Sequence, residues 1–316
     1  MRVLIIQTAF IGDVILATAL LEKLHRFHPA AELDLLVRRG NESLLAGHPF
    51  LNELLVWDKK RGKYRDLYRL LRHVRARRYD QIVNLQRFGA TGLLTAWSGA
   101  GETIGFEKNP FSRFFTRALP HRIGDGTHEV TRNLALIEHL TDDSFERPKL
   151  YPSKADHAAV RHSTPYVCFA PTSVWFTKQW PAENWIQLAQ TLPSELEIHL
   201  LGAPGDRAAC QTIMDQISGR TVHNRAGQLT LLQSAALMAN ARMNYVNDSA
   251  PLHLCSAVNA PVTAIFCSTV PEFGFTPLSD DSTVVETHHE LTCRPCGLHG
   301  HRVCPQGHFR CAENRL

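Results

Sequence analysis

The chain is predicted to fold as an α/β protein of two doubly wound, Rossmann-like halves. Three observations predict it. Short apolar runs alternate with helix-period segments from end to end, the pattern of a parallel sheet covered by helices. One stretch, SFERPKLYPSKADHAAVRHSTP at 144–165, loses apolar periodicity and collects Pro, Ser and charge, as a linker does. The length of 316 residues is generous for one core and comfortable for two. The boundary is set between a first half, 1–155, and a second, 156–316, with a cleft expected between them.

In the first half, apolar runs at 3–7, 33–37, 54–57 and 81–85 read as strands, and 13–27, 63–78 and 129–140 as helices. The first helix follows from Val14, Ala17, Leu20, Leu21 and Leu24, which recur at helical spacing. In the second half, strands are expected at 166–170, 196–201, 243–246 and 262–266. Helices are expected from Pro181, near 206–217, at 229–239 and from Pro251. Pro251 suits a first turn, where a missing N–H leaves no bond unmade. No 20–50-residue repeat interrupts this order.

Apolar residues make up 44% and charged residues 20%, the composition of a soluble globular protein. No run of 18 apolar residues occurs, so a spanning helix is not expected. Arg2, the apolar run and Ala17-Thr18-Ala19 imitate a signal peptide, but Gly12-Asp13 breaks the apolar segment. A central Asp costs roughly 2.5–3.5 kcal/mol to insert. A cytoplasmic protein is expected.

The net charge of +4 is unevenly spread. Residues 1–150 carry 23 Lys/Arg against 17 Asp/Glu; residues 151–316 carry 11 against 13. Much of the excess lies in 58–80: Lys59, Lys60, Arg61, Lys63, Arg65, Arg69, Arg72, Arg75, Arg77 and Arg78 against three acids. Leu67, Leu70, Leu71 and Val74 fall on one helical face, leaving a cationic one. Such a face is either solvated or draws a phosphorylated partner such as an anionic membrane surface, an acidic glycolipid or nucleic acid. The aromatic interleaving of single-stranded nucleic-acid binders is missing, so nucleic acid is not expected as a partner.

In open α/β sheets, ligands bind beyond the carboxyl ends of the strands. Two stretches have that setting. In QTAFIGDVILATALLEKL, 7–24, Asp13 stands where a buried strand gives way to a helix. A dipole-stabilised carboxylate at a helix start explains it as well as a general base does. The stretch lacks G-x-G-x-x-G, so a dinucleotide site is not favoured. In YVNDSAPLHLCSAVNAPVTAIF, 245–266, Asp248 or Ser249 caps a helix whose free N–H groups, with Ser249, Ala250 and His253, suit a diphosphate. The nearby APTSVWFTKQWP, 170–181, adds Thr172, Ser173 and Lys178 at the end of another strand. No Walker glycine-lysine motif is present.

Together, IIQTAFIGDVILATALLEKL, KQWP, LLGAPGD at 200–206, NRAGQLTLLQSAALMANA at 224–241 and NDSAPLHLCSAVNAPVTAIF resemble the lipopolysaccharide heptosyltransferases of glycosyltransferase family 9. The resemblance runs in order over nearly the whole chain. It implies the GT-B fold, an acceptor-binding first domain and a nucleotide-sugar-binding second domain. It also implies inverting, metal-independent transfer from ADP-heptose to a lipopolysaccharide-core acceptor, with no cofactor for catalysis. By the same resemblance Asp13 is the base, Thr172, Ser173, Lys178, Ser249, Ala250 and His253 hold the phosphates, Asp248 lies near donor sugar and lysine, and Asp206 holds the ribose. The family's D-S-G-x-x-H is here Asp248-Ser249-Ala250-Pro251-Leu252-His253. An alanine in place of glycine narrows the site if positive φ or room for a phosphate is needed.

The tail CRPCGLHGHRVCPQGHFRC, 293–311, holds Cys293, Cys296, Cys304 and Cys311, with His299, His301 and His308 between them. CxxC followed by two cysteines offers four tetrahedral ligands to a structural zinc, or four thiolates to an iron–sulfur cluster. A thiol-rich segment with no ligand has the same composition. Cys168, Cys255 and Cys267 lie in apolar runs and read as buried small hydrophobes. Two further functions fit the same residues: transfer from another nucleotide sugar, and sugar-nucleotide or glycolipid binding without catalysis. A metal or redox protein run by the tail is a third.

Overall fold

A computed structural model describes residues 1–60 and 62–314. The chain forms two compact units, Met1–Ile123 with Thr127–Tyr151, and Gly124–Gly126 with Pro152–Leu316. The main division falls a few residues before the boundary expected from sequence.

The first unit runs β1 (Arg2–Ile6), α1 (Ile11–Phe27), β2 (Glu32–Arg38), β3 (Leu51–Trp57), α2 (Lys63–Arg77), β4 (Gln81–Asn84), α3 (Gly89–Ala96), β5 (Glu102–Phe106), β6 (Arg117–Leu119) and α4 (Glu129–Ala135). Its strands form one sheet in the order β3-β2-β1-β4-β5-β6, all neighbours parallel. Parallel sheets are covered on both faces, which is why β1 reads as the unbroken apolar run Val3–Ile6, fully buried. Leu4, Ile6, Leu36, Trp57, Leu70, Val74 and Ile82 form one core cluster. The strand order reverses between β1 and β4, so the carboxyl ends of those two strands open the binding position of this topology.

The second unit runs α5 (Lys154–Ala159), β7 (Tyr166–Ala170), α6 (Ala182–Thr191), β8 (Glu197–Leu200), α7 (Arg207–Gln216), β9 (Val222–Asn224), α8 (Leu231–Ala239), β10 (Asn244–Asn247), α9 (Ala250–Val258), β11 (Val262–Phe266) and β12 (Ser282–Glu286). Its sheet, β12-β11-β10-β7-β8-β9, repeats the topology of the first, with the reversal between β7 and β10. Phe169, Trp180, Trp185, Leu200 and Ile265 form its core, joined by Cys311 and Ala312 from the tail.

Sequence patterning did not announce β5, β6, β9, β12 or α3. α3 is GATGLLTA, with two glycines against helix propensity, and β12 is the largely polar STVVE. The predicted linker also hides α5. Its six residues are too short for a periodic signal, and Ser153 and Asp156 start it with a reciprocal capping box.

α2 is the predicted basic helix: Leu67, Leu70 and Val74 are buried while Arg65, Arg69, Arg72 and Arg75 are exposed. Tyr64 and Tyr68 stand exposed beside those arginines. Arg61 lies outside the described residues. Among the described residues, no helix is long and apolar enough to cross a membrane.

Candidate active site

In the first unit, Asp13 occupies the third position of α1, just past the carboxyl end of β1. Its carboxylate accepts the Phe10 N–H at 3.1 Å, so it does serve the helix start. It does more than that. Burial, reinforced by the Glu129 carboxylate, raises its pKa from 3.8 to about 6; the Phe10 N–H, its own N–H and Arg38 pull the other way. An ordinary first-turn aspartate has its pKa lowered by the dipole. A carboxylate poised near neutrality has the proton affinity of a general base.

Cations surround it. Lys59 donates to the Thr8 carbonyl at 2.7 Å and its hydroxyl at 3.0 Å. Burial, then Arg38 and Lys63, lowers the Lys59 pKa to about 8. Lys108 is brought down to about 8 chiefly by burial, with Glu129 opposing and Arg87 and Arg132 assisting. For Glu129, burial favours the neutral acid, but hydrogen bonds from His121 at 3.1 Å and Arg132 at 2.8 Å prevail and hold its pKa below the usual range. The β1 end thus carries one carboxylate of raised proton affinity, with Arg38 and Lys108 interacting with it and Lys59 bound to the neighbouring Thr8. Sequence counted Lys59 with the cationic helix; it lies instead in the β3–α2 connection, upstream of α2, and reaches across to Thr8 of the β1–α1 loop. Lys108, Glu129 and Arg38 carried no sequence signal, because only the fold brings them to the β1 end.

In the second unit, the β7 and β10 ends bring together Lys178 and Asp248, at 2.6 Å. Thr269 donates its hydroxyl to the same Asp248 oxygen at 2.6 Å. Asn247 ties the two loops, accepting the Trp180 N–H at 3.0 Å and reaching the Ala170 carbonyl at 3.4 Å. Thr172 and Ser173 are half-buried in the β7–α6 loop, which Gln179 closes by donating to the Ser173 carbonyl at 2.7 Å. Ser249 is the N-cap of α9, yet its hydroxyl donates to the Asn247 carbonyl at 3.4 Å and leaves the helix start without a side-chain cap. His253 is buried one turn on, edge to face with Phe275. Among the described residues the non-glycine positions with positive φ are Arg78, Asn259 and Phe309, so Ala250 sits in a backbone that asks for no glycine. Asp206 stands at the β8 end, where its carboxylate accepts the Ala203 N–H at 2.7 Å. It staples its own loop and is not joined to the Lys178–Asp248 pair.

The four tail cysteines line one cavity of about 270 Å³ with His301 and His308. Among the described residues, the one set of three or more metal-ligating side chains with ligand atoms within 4.8 Å of one another is His162, Glu197 and His199. That trio has its own cation: Arg225 donates to His199 Nδ1 at 3.3 Å and contacts His162 Nε2 at 3.2 Å. Its sequence signal was the Glu-x-His alternation on β8, which puts both side chains on one face.

The model of glycosyltransferase family 9 (heptosyltransferase) matches residues 67–303. Lipopolysaccharide heptosyltransferase 1 of Pseudomonas aeruginosa is 28% identical, the match covering 94% of this chain and 86% of that protein. Escherichia coli ADP-heptose lipopolysaccharide heptosyltransferase II superposes with a TM-score of 0.79 at 22% identity, over 98% of this chain and 96% of that one. The E. coli heptosyltransferase WaaC with ADP superposes with a TM-score of 0.75 at 20% identity, over 90% and 92%. Both likenesses carry the two-domain GT-B fold expected from sequence.

Proposed function

We propose a reaction from a single premise: the chain belongs to glycosyltransferase family 9. It moves heptose from ADP-heptose to a lipopolysaccharide-core acceptor, inverting the anomeric centre without a metal. The heptosyltransferase names of its relatives support the sugar and acceptor class, and the neighbour bound to ADP supports the nucleotide. The observation that carries the reading is Asp13, a strand-end carboxylate with its pKa near 6 among Lys59 and Lys108.

The acceptor oxygen attacks C1 of the donor sugar from the face opposite the nucleotide. Its proton passes to Asp13 as the C1–O bond to the diphosphate breaks, and ADP departs. A positioned base typically contributes roughly 10²–10⁴-fold. With no metal in the transfer, fixed positive potential must stabilise the leaving diphosphate. Lys178 supplies it, held by Asp248 at 2.6 Å. Thr172, Ser173, Ser249, Ala250 and His253 complete the phosphate and sugar contacts, and Asp206 takes the ribose if it leaves the Ala203 N–H. Lys59 and Lys108 face the phosphates of the acceptor. The exposed arginines of α2, with Tyr64 and Tyr68, rest on the anionic inner face of the membrane, so the enzyme works from the cytoplasm. Any metal held by the cysteine tail is structural and takes no part in the chemistry of transfer.

The test is release of nucleoside diphosphate from a panel of nucleotide sugars, with and without a deacylated core acceptor. Acceptor-dependent ADP release from ADP-heptose supports the reading. Release from a different nucleotide sugar alone replaces the donor, and no turnover with any donor overturns the reaction.

A further inference from the structure

Thr269 stands just past β11, at the same carboxyl end of the sheet as Lys178 and Asp248. It is buried, and its hydroxyl donates to Asp248 Oδ2 at 2.6 Å. The Lys178 ammonium reaches that same oxygen, also at 2.6 Å. Two donors therefore share one carboxylate oxygen. An ionised carboxylate only accepts, and each of its oxygens has room for about two hydrogen bonds. With one place on Oδ2 filled by Thr269, Lys178 is confined to the other. Confinement matters more for a lysine than for an arginine, because its ammonium is a compact charge on a flexible stem with no fixed direction. Thr269 is β-branched and stiff at χ1, so it loses little freedom in making the contact.

Thr269 is in turn held from behind. Arg294 donates Nη2 to the Thr269 carbonyl at 2.7 Å and Nε to the Cys267 carbonyl at 2.8 Å, spanning the loop. The same Nη2 reaches the carboxylate of Glu286, the last residue of β12, at 2.6 Å. A planar guanidinium fork holds several acceptors at set angles, which an ammonium does not. Between those two carbonyls, Ser268 binds the residue before Lys178. Its N–H donates to the Thr177 carbonyl at 3.2 Å, and its hydroxyl to that of Thr177 at 3.0 Å.

The loop after β11 thus grips Lys178 twice, at the backbone through Thr177 and at the head group through Asp248. A continuous polar chain runs from Glu286 on the edge strand through Arg294, Thr269 and Asp248 to the Lys178 ammonium. Its chemical consequence lies at Oδ2. A carboxylate facing lysine alone puts its whole charge on the ammonium. A second donor on the same oxygen weakens that pull and fixes its direction. An ammonium has three donors, so one engaged with Asp248 still leaves others for an anion.

We propose that Thr269 is a positioning residue: by occupying Asp248 Oδ2 it sets where the Lys178 ammonium stands, and Arg294 sets Thr269. The inference rests on the reading of Lys178 as the ligand of the donor's diphosphate. ADP binding to the full-length chain is measured by calorimetry for wild type, Thr269→Val, Thr269→Ser, Lys178→Met and the Thr269→Val, Lys178→Met double variant. Valine keeps the branched shape and removes the donor, so ADP binding is expected to weaken about tenfold. Serine restores the donor and is expected to bind within about twofold of wild type. In the Lys178→Met background, Thr269→Val is expected to add nothing, because residues acting through one contact are not additive. Wild-type affinity in Thr269→Val overturns the positioning. So does a tenfold loss that recurs in the Lys178→Met background, or a serine variant as weak as the valine one.

Because Thr269→Val leaves a buried carboxylate with one donor fewer and is open to misfolding, Arg294→Lys tests the chain from its far end, with circular dichroism to follow the fold. Lysine keeps the charge but does not hold two carbonyls and Glu286 together. ADP affinity is expected to fall about threefold, and not to fall further once Lys178 is methionine. Unchanged affinity in Arg294→Lys refutes the part given to Arg294. Lys178→Met that binds ADP as well as wild type refutes the donor reading of Lys178 and the positioning with it. Weak binding in Lys178→Met, with wild-type binding in the threonine and arginine variants, refutes the positioning alone.

Discussion

Replacing Asp13 by asparagine is predicted to stabilise the fold while abolishing the base. The pKa of Asp13 is about 6 in the folded chain against an ordinary 3.8. That difference is about two units, and each unit is worth about 1.4 kcal/mol, so ionising Asp13 costs the folded state up to roughly 3 kcal/mol. The sign follows from proton affinity. The folded chain binds this proton more tightly than the unfolded chain, so wild-type stability falls as pH rises from about 4 to about 6, and the whole cost is present above that. Asparagine carries no charge and keeps an oxygen for the Phe10 N–H, though that hydrogen bond loses its charge assistance. The net gain is expected to be roughly 1–2 kcal/mol at about pH 7.5, shrinking to nothing near pH 4. Urea unfolding of both proteins at the two pH values measures it, reading the transition of the first unit. A variant less stable than wild type at the higher pH, or a difference that does not change with pH, refutes the reasoning.

The same groups predict a bell-shaped pH dependence of kcat/KM. Its acid limb lies near 6, where Asp13 takes up its proton, and its alkaline limb near 8, where Lys59 and Lys108 lose theirs. Lys178→Met is expected to weaken ADP binding by roughly 10–100-fold, the worth of one hydrogen bond to a charged group, as read by calorimetry. Charge reversal of Arg65, Arg72 and Arg75 on α2 is expected to cut binding to anionic vesicles at least about a hundredfold, at roughly 1 kcal/mol per cation. Unchanged vesicle binding would leave that helix a solvated face.

Much of this was legible in sequence because it is written locally. The run Val3–Ile6, the helical spacing of Val14 through Leu24 and the strand–Asp–Ser–x–Pro–helix junction at 247–251 each carry their structure in adjacent residues. Asp13 was conspicuous for the same reason, as a carboxylate between an apolar strand and an apolar helix. What sequence could not supply was company. Glu129 and Arg38, which tune Asp13, come from distant parts of the chain, and Thr269 reaches Asp248 from just past β11. At the tail, the run of cysteines fixes the composition of a thiol-rich segment, but what it holds depends on how separate turns of chain bring the sulfurs together, which adjacent residues do not specify.

The central claim is that Asp13 accepts the proton of the attacking hydroxyl. It is tested most directly by comparing Asp13→Asn with wild type in acceptor-dependent ADP release from ADP-heptose, with donor affinity measured alongside. The account predicts turnover lower by roughly 10²–10⁴-fold with donor affinity unchanged. Turnover within a few-fold of wild type would contradict it and leave Asp13 as a carboxylate that only starts a helix.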